Sequence, residues 1–125
     1  MKLTRDDNSS IQRIERYAPG QISVNGVTYS QAIIVSPESV AEWECCDISS
    51  LNEEHIDVAL GFKPEILLLG SGARQRFPSA NFLSDLARRG MGIEVMDSAA
   101  ACRTYNLLAS EQRRVVAALL PIELE

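Results

Sequence analysis

Histidine is nearly absent from this chain. His55 is the only one, so acid–base sets and metal centres that rely on imidazole have almost nothing to work with. The three cysteines, Cys45, Cys46 and Cys102, are an odd number with no C-x-x-C spacing, which leaves no zinc set. Cys45 and Cys46 are adjacent and could close only a strained ring, so reduced thiols in a reducing compartment are expected. Basic residues are outnumbered 12 to 17, and the net charge of −5 excludes a general nucleic-acid binder, which needs a basic footprint. No apolar run approaches the roughly 20 residues that span a bilayer. The opening Met1-Lys2-Leu3-Thr4-Arg5-Asp6-Asp7 is polar and acidic where a signal peptide carries an apolar stretch. A cytoplasmic protein that does not span a membrane and needs no cofactor or metal is the expectation.

What remains is ordinary globular material: 46% hydrophobic and 23% charged residues, enough for one domain and too short a chain for two well-cored ones. That domain is expected over 1–123, with 1–10 loosely held and Leu124-Glu125 reading as an expression-vector tail. Residues 1–62 hold 4 basic against 10 acidic side chains, while 63–125 hold 8 against 7. The acidic half reads as a solvated face, and the near-neutral half is where an anionic ligand could be tolerated.

Residues 1–16 are polar and irregular, with Ile11 and Ile14 as apolar anchors. Gln21-Ile22-Ser23-Val24 and Val27-Thr28-Tyr29-Ser30 alternate around Asn25-Gly26, the signal of a type I′ hairpin. Ala32–Val35 is a strand, and Val40–Trp43 a weaker extended piece in which Trp43 is a core anchor. Ser50 and Glu53 match a capping box that opens a short helix to Leu60. Pro64 leads into Glu65-Ile66-Leu67-Leu68-Leu69, an apolar run suited to a strand buried on both faces. Gly70-Ser71-Gly72 stops it, Pro78 and Ser79 open a helix ended by Gly90, and Met91–Met96 is a second strand. Strand, helix and strand make a βαβ unit. From Ser98 to Leu120 the pattern predicts a helix capped by Asp97 or Ser98 and restarted at Ser110 and Glu111, with Leu108, Val115, Val116, Leu119 and Leu120 as its buried stripe.

Two places could carry chemistry. Glycines at the carboxyl end of a buried strand let backbone N–H groups approach an anion, and Arg74 and Arg76 flank that loop. Asp97 ends the next strand, where a ribose hydroxyl would be bound. The dinucleotide fingerprint then fails: Gln75 stands at its third glycine, and the helix starts only near Ser79. A tight structural turn is the competing reading. The second place is Asp97-Ser98 with Cys102-Arg103-Thr104-Tyr105-Asn106. A thiol one turn into a helix can be acidified, which would make a reactive thiolate. The alternative is a structural cysteine beside capping residues, with Tyr105 bonding at the core edge. A catalytic cysteine needs a base, and the sole histidine, His55, lies in the acidic segment from Glu53 to Asp57, so a Cys–His pair across the fold is the minor alternative.

Pro64–Gly72, Gly92–Ser98 and Ala100–Leu108 together resemble the Mth938-like family, a domain of unknown function that includes a mitochondrial complex I assembly factor. The similarity runs from the Asn25-Gly26 hairpin to Leu120, and its Cys102–Asn106 run is quite specific. It implies a three-layer α/β fold with a mixed central sheet around the hairpin and the βαβ core. It implies no established enzymatic activity, and the mitochondrial member acts by binding partners during assembly of a respiratory complex. The family pattern has threonine at Ser71 and Ser98, so the hydroxyl is kept, and often glycine at Ala99.

Two functions follow. One is a non-enzymatic interaction or accessory domain that binds a protein partner. The other is a small-ligand or anion-binding protein, with or without thiol chemistry, using Gly70, Ser71, Gly72, Arg74, Asp97, Ser98, Cys102, Arg103, Thr104, Tyr105 and Asn106.

Overall fold

A computed structural model describes residues 11–123. The expected loose segment 1–10 and the expected tail 124–125 lie outside the described residues. Eight strands and three α-helices follow one another as β1 (Ile14–Ala18), β2 (Gln21–Val24), β3 (Val27–Tyr29), β4 (Ile33–Val35), β5 (Val40–Glu42), α1 (Glu53–Leu60), β6 (Ile66–Gly70), α2 (Ala80–Arg88), β7 (Ile93–Met96), α3 (Ser98–Ser110) and β8 (Val115–Leu119). Strands β1-β2-β3 form an antiparallel sheet. Its β2–β3 turn places Asn25 at φ 48° and Gly26 at φ 87°, the two positive values a type I′ turn needs.

The other five strands form a mixed sheet in the order β5-β4-β8-β6-β7. Strands β8, β6 and β7 are mutually parallel, while β4 runs antiparallel to both β8 and β5. From β6 the chain passes through α2 to β7 on one side. It then returns through α3, past β6, to β8 on the other. The direction of travel reverses and so does the face covered, as two crossovers of the same hand require.

Period-two alternation splits the central strands between two cores. Ile33, Val35, Leu68, Val115, Ala117 and Leu119 face α3 and the three-stranded sheet, which contributes Ile22 and Val24. Ile34, Leu67, Leu69, Val116, Ala118 and Leu120 face α1, α2 and Trp43. Three layers result: α1 with α2, then the five-stranded sheet, then α3 beside the small sheet. Trp43 is buried as expected, and its indole N–H donates to the His55 carbonyl at 2.9 Å.

Three expectations are corrected. The segment after Ser110 is not helical. Gln112 turns the chain at φ 64°, and Val115–Leu119 is the central strand β8, buried along its whole length. A short apolar run has the same composition on a buried helix and on a strand covered on both faces, and here two neighbouring strands supply the backbone partners. The irregular stretch up to residue 16 contains the start of β1, whose alternation is too short to stand out. The cap of α1 is Asn52 rather than Ser50: its side chain accepts the His55 N–H, and His55 Nδ1 accepts the Asn52 N–H in return.

Candidate functional site

The parallel strands end together at one edge of the molecule. There the loop after β6, the residues after β8 and the segment following β5 enclose a cleft of about 60 Å³, lined by Cys46, Asp47, Ser71, Gly72, Arg74 and Arg76 among others. This is the sheet end where open α/β folds bind ligands. Its volume is well below the roughly 300 Å³ at which pockets for small molecules begin.

The hydroxyls of the loop are used within it. Ser71 Oγ donates to the Arg74 carbonyl at 2.6 Å and accepts the Arg76 N–H at 2.9 Å, while the Ser71 N–H donates to the Met96 carbonyl. Ser98 is fully buried. It accepts the Gly72 N–H on Oγ at 2.9 Å and donates to the Leu120 carbonyl at 2.6 Å, and its own N–H reaches the Gly72 carbonyl. One side chain thereby ties the ends of β6 and β8 to the start of α3. Gly70 lies directly under that start. A Cβ there would stand 3.0 Å from Ser98 Cα and 2.9 Å from its Oγ, so the glycine permits close helix–strand approach. Asp97 caps α3 by accepting the Ala100 N–H at 2.8 Å.

Gly70, Ser71, Gly72, Asp97 and Ser98 therefore meet, with Arg74 on the cleft wall. The run from Cys102 to Asn106 turns elsewhere, towards β1. Cys102 is fully buried, and desolvation pushes its thiol up to about 12 despite the neighbouring Arg103 charge. Burial likewise raises the Tyr105 phenol, whose hydroxyl donates to the Gln12 carbonyl at 2.7 Å. Asn106 accepts the Ile14 N–H and donates to the Ile14 carbonyl, at 3.0 and 2.8 Å, replacing a strand partner for β1. Arg103 is exposed and reaches the Tyr17 hydroxyl at 3.5 Å; Thr104 is half-buried on α3. Among the described residues, no group of three His, Cys, Asp or Glu side chains is placed to hold a metal ion. All three cysteines are free thiols, and only Cys46 is exposed.

A second, larger cleft of about 370 Å³ adjoins the first. Ile48 and Leu51 form one lip, Phe77, Pro78 and Phe82 the other, and Arg76 stands between the two clefts. Sequence reasoning did not single out Ile48, Leu51 or Phe77. The available signal was Phe77-Pro78 directly before a helix cap, where a large apolar residue has no stripe to join.

Residues 14–120 match the family described as a protein of unknown function, DUF498/DUF598. The 13 kDa major membrane protein of Francisella tularensis is 35% identical over 103 residues, covering 81% of this chain and 84% of that protein. The NADH dehydrogenase [ubiquinone] 1 alpha subcomplex assembly factor 3 of Danio rerio is 36% identical over 110 residues; the match covers 86% of this chain but 63% of that longer protein. Among solved structures, a Bordetella pertussis protein described as a Mth938-like domain superposes with a TM-score of 0.80 at 34% identity, covering 98% of this chain and 94% of that one. Agreement of the two-sheet, three-helix architecture with that neighbour, and a family match along nearly the whole described chain, place this protein in the DUF498/DUF598 family with the Mth938-like fold.

Proposed function

We propose that the chain acts as a single-domain, non-enzymatic accessory factor in the cytoplasm, binding a protein partner during assembly of a membrane-associated respiratory complex. The observation that carries this reading is what the polar groups of the Cys102–Asn106 run do. Tyr105 and Asn106 bond to backbone atoms of the 12–14 segment, and Cys102 is packed beside them, so the segment serves the framework. The assembly-factor name of the Danio rerio relative supports the same reading. No helix among the described residues is long and apolar enough to cross a membrane, so contact with such a complex would run through the protein's surface. Deleting the gene and resolving membrane complexes on native gels tests the proposal. Loss of the mature NADH dehydrogenase band with accumulation of subassemblies is expected, and an unchanged band overturns it.

A second reading is favoured by Arg74 and Arg76, which share the wall of the 60 Å³ cleft with Asp47 and Glu123 and could hold an inorganic anion between their guanidinium groups. Phosphate should then raise the melting temperature of the wild type and not that of Arg76→Gln. No difference between the two proteins removes this reading.

A further inference from the structure

We propose that the cleft between Ile48–Leu51 and Phe77–Phe82 is the seat of a partner segment presenting a bulky apolar side chain beside a carboxylate. The proposal rests on the accessory-factor reading and names the surface through which that role is carried out.

Phe77 is 60% exposed, the most exposed of the large apolar residues named among the described positions. Its exposure belongs to a pinned loop. On one side the Arg76 N–H is held by Ser71 Oγ. On the other Pro78 is buried, and Ser79 caps α2 by accepting the Phe82 N–H at 3.1 Å. The opposite lip is fixed as well. Asp47 accepts the Ser49 hydroxyl at 2.5 Å and the Ser50 N–H at 3.0 Å, and its carbonyl accepts the Cys45 thiol. Both walls are therefore ordered before anything binds, which removes much of the entropic cost of association. A cleft of about 370 Å³ has room for one or two large side chains, and Ile48, Leu51, Pro78 and Phe82 give it apolar walls.

Charge selects the flanking group. The smaller cleft balances Arg74 and Arg76 against Asp47 and Glu123, but the larger, apolar one has Arg76 as the one charged residue of its lining. The Arg76 guanidinium forms no ion pair within the described residues. Its charge acts with the Ser49 hydroxyl bond, the larger effect, to hold the Asp47 carboxyl below the usual range. A cation at the mouth of an apolar cleft favours an apolar residue with an adjacent Asp or Glu, and a lysine-flanked segment would meet Arg76 directly.

The test uses two probes, Ac-Glu-Leu-Phe-Glu-NH2 and Ac-Lys-Leu-Phe-Lys-NH2, titrated into the 15N-labelled full chain. The acidic peptide is expected to shift the amides of Ile48, Leu51 and Phe77 and to bind roughly tenfold more tightly than the basic one. Arg76→Glu should invert that order, and Phe77→Ser, whose spectrum must stay dispersed, should weaken both. Equal binding of the two peptides, shifts confined to other surfaces, or an Arg76→Glu protein with unchanged preference overturns the proposal. Displacement of the peptide by sodium dodecanoate at lower concentration would overturn it in favour of a small amphipathic ligand. The two readings fail separately. A Phe77→Ser gene that fully restores complex assembly to a deletion strain removes the cleft and leaves the accessory role. A deletion with no assembly defect removes the role while the peptide data stand alone.

Discussion

A thiol near a helix N-terminus usually loses its proton more readily, yet at Cys102 burial outweighs that effect. Cys102 lies in the layer between α3 and the small sheet, where stripping water from a thiolate costs more than the helix terminus and the Arg103 charge return. Iodoacetamide at neutral pH should therefore modify Cys46 in the folded protein and leave Cys102 intact, with both labelled in denaturant; intact-mass and peptide mapping check this. The same burial has a pH consequence. The thiol titrates near 9.0 when unfolded and near 12 when folded, so the unfolded chain releases the proton first. Stability is then fully present below about pH 9 and is lost as pH rises towards 12, an effect that Cys102→Ala should reduce in urea melts across that range. Asn106 gives a second prediction at this scale. Truncation to alanine leaves the Ile14 N–H and carbonyl without partners, and about 2–4 kcal/mol of unfolding free energy should disappear. The identities of these residues were legible in the sequence. Their roles were not, because Asn106 bonds to backbone 92 positions away and Cys102 is buried by packing against the same distant segment.

Among the elements, the loop after β6 shows how one glycine pattern serves two ends. A glycine at the carboxyl end of a buried strand can admit a phosphate or a neighbouring helix. At Gly70 the space is taken by the first residue of α3. Gly70→Ala should destabilise by about 1–3 kcal/mol, because the methyl meets Ser98 Cα, which cannot swing aside; thermal and urea melts measure this. The hairpin, α2 with its Ser79 cap, and β6 were readable because turn residues or caps mark their ends locally. Strand β8 was not. Val115, Val116, Leu119 and Leu120 fit one helix face as well as they fit a covered strand, and only β4 and β6 on either side decide between the two.

Across the whole molecule, β8 occupies the middle of the five-stranded sheet and divides its side chains between both cores. Its backbone is paired on both sides and shielded by both outer layers, so its amides open only with global unfolding. Native-state hydrogen exchange should find β8 and β6 slowest, and the edge strands β3 and β5 much faster. Comparable rates in β3 and β8 would mean that the two sheets do not share one cooperative core. The ion pairs Asp57–Arg89 and Glu65–Arg113 lie on the surface, so raising NaCl should move the melting temperature little.

By itself the sequence determined the class of fold, the hairpin and the βαβ unit, since turn residues and caps act over a few neighbouring positions. Tertiary structure decided the rest. It turned the last apolar run into the central strand, closed the Gly70–Gly72 loop against Ser98, and sent the Cys102, Tyr105 and Asn106 side chains into the framework. It also left Phe77 standing out beside Arg76. Each of those outcomes depends on which distant residues are packed against a side chain, and that is a property of the folded chain.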